Sequence, residues 1–191
     1  MGKLRAAAAA VALAAALAAA LAGCDSEAAP PPAPTPTSAP SSTPPSPSAT
    51  SSTPAPPVMP EAAKAHTKAG AKAFVVYYWQ VIDYAQRTLD VAPLRALSSS
   101  GCTGCQGGIK ALASIRRAGG HIEGGGESAS VRSMSPMNEG AMFAKVRLML
   151  RTTQQVIVPV KPTHSYEPGQ SNASVIVSPV EDGWVISELR Y

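Results

Sequence analysis

The chain has 191 residues, with 16 Lys and Arg against 12 Asp and Glu, a net charge of +4 and three cysteines. Most of its 19 prolines precede Glu61 and its early alanines form one block, which excludes a single uniform globule and leaves residues 60–191 as one domain of ordinary size. The positive excess is scattered, and only Lys145, Arg147 and Arg151 form a row, which reads as a solvated strand face and excludes the clustered basic surface of a nucleic-acid-binding protein.

Residues 1–23, "MGKLRAAAAAVALAAALAAALAG", have a short positive start, an apolar run of Ala, Val and Leu, and small residues at the end, the build of a secretory signal. The ending Leu21-Ala22-Gly23-Cys24 resembles the lipobox of bacterial lipoproteins. That resemblance implies cleavage before Cys24 and acylation of its sulfur, and hence a membrane-anchored chain on the extracytoplasmic face of the cell membrane. The apolar run is at the short end for a transmembrane helix, and more than one acyl chain is needed for stable anchoring. From Ala28 to Met59 the chain is almost wholly Pro, Ser, Thr and Ala, with too few apolar side chains to offset ordering entropy. Residues 24–59 therefore read as a lipidated N-terminus and disordered spacer, which at about 3.1 Å per residue reaches on the order of 100 Å when extended.

The domain begins with helical spacing. Over Pro60–Thr88 one long helix is expected, with Ala71, Phe74, Val75, Tyr78, Val81, Ile82, Ala85 and Leu89 on one face and Lys72, Asp83 and Asp90 opposite. A short helix follows at "VAPLRALS", and another at "CTGCQGGIKALASIRRAGG", with Ile109, Leu112, Ala113, Ile115 and Arg116 in phase and Gly119-Gly120 as its stop. The period then becomes alternating. "HIEGGGESASVRSMS" reads as a glycine-broken strand, and Asn138-Glu139-Gly140 as the turn into a strand in which Met142, Ala144, Val146, Leu148 and Leu150 alternate with Phe143, Lys145, Arg147, Met149 and Arg151. Asp182-Gly183 marks a terminal hairpin between Val175-Ile176-Val177 and Trp184-Val185-Ile186. Three helices followed by an antiparallel sheet of about four strands make an α+β plan.

The step Thr67-x-x-Gly70-Ala71, the cluster Tyr77-Tyr78-Trp79, Tyr84-Ala85, Pro93-Leu94-Arg95, the pair Cys102/Cys105, Gly119-Gly120 and Gly124-Gly125 together resemble an actinobacterial lipoprotein family, domain of unknown function 6318. Members tend to carry glycine where this chain has Leu89. The order of helices and strands also resembles the nuclear-transport-factor-two-like cone, which implies helices over a strongly curved sheet and room for a pocket. That fold hosts enzymes, scaffolds and accessory domains, so it constrains function weakly.

Cys102-Thr103-Gly104-Cys105 fits three chemistries. A thioredoxin-type centre requires a strand before it, where this chain has a helical pattern. A zinc site requires further ligands, and His66, His121 and His164 stand alone. An exported chain meets an oxidising compartment, so a structural disulfide between Cys102 and Cys105 is expected. No cofactor or metal is expected. Tyr77, Tyr78, Trp79 and Tyr84 are the candidate pocket residues, and Asp83 beside them reads as solvated, so no catalytic residue is assigned. The expected function is a non-catalytic binding or accessory domain for a small-molecule ligand or an envelope protein. The alternatives are an envelope enzyme using the cone pocket and a thiol-disulfide oxidoreductase acting through Cys102/Cys105, the former marked by a perturbed carboxylate inside a pocket.

Overall fold

The computed structural model describes residues 54–191. The leader, Cys24 and most of the spacer lie outside the described residues. The fold is α+β with two antiparallel sheets, and its helices precede its strands.

The expected helix from Pro60 to Thr88 is divided. A short 3-10 turn, Glu61–Lys64, is followed by extended backbone at Ala65 and Thr67, and the helix α1 runs over Lys68–Thr88. Thr67 is the reason: its hydroxyl accepts a hydrogen bond from the Gly70 N–H (3.0 Å), capping a fresh helix start. The break also frees the Ala65 carbonyl, which a continuous helix would commit to its own next turn. It accepts from the Trp184 indole N–H (3.0 Å), and the His66 Nε2 donates to the Gly183 carbonyl (2.8 Å) with its ring edge-on to Trp184. The start of the domain is thereby clamped to its last hairpin.

Beyond the break, α1 follows the expected phase, with Ala71, Phe74, Val75, Tyr78, Val81, Ile82 and Ala85 all buried. Leu89 ends it in the left-handed region (φ 55°), and its N–H donates to the Ala85 carbonyl. A glycine adopts that conformation freely, whereas leucine does so at a steric cost. Leu89 compensates by burying its side chain in the core.

Helix α2 spans Ala92–Ala96 and α3 spans Thr103–Arg117. Cys102 is the N-cap of α3, its Sγ accepting from the Cys105 N–H (3.2 Å), and it is disulfide-bonded to Cys105. In the chain-entropy account so small a loop contributes about 2 kcal/mol. Gly104, inside the bridge, lets α3 approach the last strand: a Cβ there would run into the Leu189 carbonyl oxygen.

The strands are β1 (His121–Gly124), β2 (Glu127–Pro136), β3 (Met142–Leu150), β4 (Gln154–Ile157), β5 (His164–Tyr166), β6 (Gly169–Val180) and β7 (Gly183–Arg190). One sheet has the order β2-β3-β6-β7, with Ala144, Val146 and Leu148 of β3 facing inward as their alternation requires. In place of one sheet of about four strands there are two, because β1, β4 and β5 form a separate sheet in the order β1-β4-β5. The glycine-broken strand is where they part. Gly124, Gly125 and Gly126 all have positive φ (69°, 87° and 83°), so the chain leaves β1 in one sheet and enters β2 in the other. A Cβ at Gly124 would also collide with the Thr153 carbonyl oxygen.

Leu89→Gly tests the balance at the end of α1. Relief of the left-handed backbone contributes about 1 kcal/mol, and loss of the buried leucine costs about 2–3 kcal/mol. The variant is expected to unfold in urea with a net loss of about 1–2 kcal/mol, and unchanged or increased stability would contradict this account.

Candidate functional site

Between the two sheets and the helices lies a hollow of about 800 Å³. Tyr78, Ile82 and Gln86 reach it from α1, Leu94 from α2, and Cys105, Leu112 and Ile115 from α3. Ile122 of β1 and Val156 of β4 line it from the small sheet; Glu127 of β2, Leu150 of β3 and Leu189 of β7 line it from the large one. Its wall exposes mainly apolar surface, and polar side chains, among them Glu127, Glu167, Gln170 and Tyr191, join the aliphatic ones, the composition of a small-molecule site. Gln154 and Gln86 close one side, the Gln154 amide donating to the Gln86 carbonyl oxygen (3.0 Å) and tying β4 to α1.

The aromatic residues singled out in the sequence divide. Tyr78 lines the large hollow, Trp79 lines a smaller one of about 370 Å³, and Tyr77 and Tyr84 line neither. All four are buried, and the three phenols have partners. Ser98 gives its single proton to the Leu94 carbonyl (2.8 Å), so the Tyr78 hydroxyl must donate to Ser98 Oγ (3.0 Å). Tyr77 donates to the Pro57 carbonyl (3.2 Å) and Tyr84 to an Asp90 carboxylate oxygen (3.1 Å). Burial pushes the Tyr77 and Tyr78 phenols up and so disfavours their ionisation; at Tyr78 the Ser98 bond works against this. The Trp79 indole N–H is buried without a partner.

The carboxylate at the site is one that sequence reasoning passed over. Glu127 is the first residue of β2, immediately after the glycine turn, and lines both hollows. Asp83, expected to be solvated, positions it: its side chain is only 20% exposed, pairs with Arg87 at 2.8 Å and accepts from the Glu127 N–H at 3.3 Å. Burial, and then the negative charge of Asp83, push the Glu127 carboxyl above the usual carboxylate range. Cys105 contributes bonded sulfur to the wall, and the pair is buried, which leaves no thiolate in the site. Among the described residues no cluster of three or more His, Cys, Asp or Glu is placed to hold a metal ion. No helix among them is long and apolar enough to cross a membrane.

Comparison with known proteins places the chain by sequence and by fold. The model of a family of unknown function (DUF6318) matches residues 47–189. No curated protein matches the sequence. The intermembrane space region of chloroplast protein ARC6 is similar in structure, with a TM-score of 0.53 and 14% identity over 63% of this chain and 92% of that one. The protein Rd1NTF2_05, in a multiply substituted form, aligns with a TM-score of 0.41 and 12% identity over 65% of this chain and 99% of its own. Aln2 from a Streptomyces species aligns with a TM-score of 0.39 and 10% identity over 60% and 84% of the two chains. The likeness to the ARC6 region shows a shared α+β fold.

Glu127→Gln reads the electrostatics directly. A carboxyl raised in the folded state binds protons more tightly there than in the unfolded chain, so its ionisation destabilises the fold as pH rises past the unfolded value. The glutamine variant is expected to melt at a higher temperature than the parent at pH 7, the difference vanishing as pH is lowered toward 4. A variant that melts lower at pH 7 would show that the charged carboxylate has a stabilising partner.

Proposed function

Because the chain belongs to DUF6318, a family of unknown function, we propose its role from the site itself: a membrane-anchored envelope lipoprotein whose domain holds a small apolar ligand. The observation that carries this reading is the hollow of about 800 Å³ with mainly apolar exposed surface, lined by residues of α1, α2, α3 and both sheets. A volume of this size matches that of ordinary small-molecule sites, and burial of an apolar ligand within it contributes about 25 cal/mol per Å² removed from water. The arrangement is read here as a cone-like one, with helices covering the mouth between diverging sheets, in an actinobacterial lipoprotein. Cys24 would supply the anchor and the Pro-rich spacer the reach, so that the hollow is presented on the extracytoplasmic side of the membrane. An envelope protein as partner is the companion form of the same reading.

A second reading has one specific observation in its favour. Glu127 is a carboxylate of raised basicity inside a pocket, the property a general acid or base needs near neutral pH. It makes an envelope enzyme acting in the hollow the stronger of the alternatives. A thiol-disulfide oxidoreductase acting through Cys102 and Cys105 is the weaker one, since both sulfurs are buried and bonded at a helix start.

Two measurements test the proposal. N-phenyl-1-naphthylamine, a neutral dye that brightens in apolar surroundings, is expected to bind the chain in lipid nanodiscs above the signal of empty discs. Gly108→Leu should abolish that excess, because Gly108 borders the hollow with open space around its Cβ position and leucine favours the helix. Equal dye signals for the parent, the variant and empty discs would remove the ligand-binding reading. For the anchor, cells fed an alkynyl palmitate are expected to label the parent chain and not Cys24→Ala; label persisting in the variant would refute lipidation at that sulfur.

A further inference from the structure

We propose that the ligand of the large hollow is a cationic amphiphile, an apolar body carrying one protonated amine, with the amine meeting the carboxylate of Glu127. The inference deepens the ligand-binding reading above and rests on it. Its first support is the charge of the wall. The charged side chains lining the hollow are Glu127 and Glu167; no Lys, Arg or His is among its lining residues.

The second support is that nothing in the fold neutralises Glu127. Asp83 on α1, beside it, has its cation in Arg87, while Glu127 has no ion pair or side-chain hydrogen bond among the described residues. Arg87 and Arg151 border the smaller hollow, which Glu127 also lines, and neither forms an ion pair with it. Tyr78 on α1 gives its proton to Ser98, and the Gln154 amide donates to Gln86. Tyr191, which follows β7 and also lines the hollow, has its phenol pushed up by burial and then by the charge of Glu127, and makes no hydrogen bond to it. A partly buried carboxylate without a partner is costly, and an ammonium group within a few ångströms of it restores the lost interaction. A carboxylate ligand would instead meet two like charges.

The acid-base behaviour agrees in sign. Burial and then Asp83 favour the protonated form of Glu127, so as pH falls the charge that attracts an amine is lost earlier than at an ordinary carboxylate. The amine stays protonated throughout.

Calorimetric titration of the full chain in nanodiscs, against empty discs, with 4-phenylbutylamine, 4-phenylbutan-1-ol and 4-phenylbutanoate tests this with three head groups on one apolar body. The amine is expected to bind about tenfold more tightly than the alcohol, with the carboxylate weakest. Glu127→Gln should bring the amine to the alcohol's affinity and leave the alcohol unchanged, and Glu167→Gln should keep most of the preference. Equal affinities for all three heads would overturn the cationic ligand while leaving the hollow a ligand site. Loss of the preference in Glu167→Gln alone would overturn the assignment to Glu127. Binding of none of the three, together with no dye uptake, would overturn the ligand-binding reading beneath it.

Discussion

The structure depends on the turn at Gly124-Gly125-Gly126. Three successive residues with positive φ are accessible to glycine and strained for any other residue, so this is the place where the chain can leave one sheet and enter another. With β1 in the small sheet and β2 in the large one, the two sheets cannot close into a single layer over α1. The space left between them is bordered by α1, α2 and α3. A continuous β1–β2 strand would carry the small sheet's edge onto the large sheet and remove the hollow. The glycines thus shape the hollow through topology and contribute no side chain to it.

Glu127 inherits its character from the same turn. It is the first residue with a side chain after the glycines, and its backbone N–H is held by Asp83 from α1. That contact fixes the carboxyl where the wall between the two hollows stands, beside the charge that raises it. Asp83 is itself neutralised by Arg87, so the helix supplies position and a residual field without competing for the space in the hollow. The disulfide works on the opposite wall. By closing the N-terminal turn of α3 on itself, Cys102–Cys105 holds the residues around Gly104 where the helix can touch the β7 backbone.

Helical phase was legible because α1 is long and its core positions recur without interruption; each residue placed on its inner face is buried there. The alternation of β3 and the Asp182-Gly183 hairpin were legible for the same reason, a period sustained over many residues. The break at Thr67 was hidden because its benefit lies in bonds to Gly183 and Trp184, more than a hundred residues away in sequence. The small sheet was hidden because β4 and β5 are short and show no alternation of burial, being uniformly half-buried and uniformly exposed. Aromatic identity located the helix face and only part of the pocket wall: Tyr78 lines the large hollow and Trp79 the smaller one, while Tyr77 and Tyr84 are buried as packing residues away from both. Glu127 was invisible because its environment is made by a residue 44 positions earlier and by a turn whose direction only the fold reveals.

The central claim is that the space between the sheets is an accessible apolar site at the edge of the packed core. It is tested most directly by methyl nuclear magnetic resonance of the chain with labelled Ile, Leu and Val, titrated with N-phenyl-1-naphthylamine. The account predicts shifts concentrated at Ile82, Leu112, Ile115, Ile122, Val156 and Leu189, while Val75, Val146 and Val175 in the packed core stay fixed. Shifts spread evenly over both sets, or absent from the first, would contradict it.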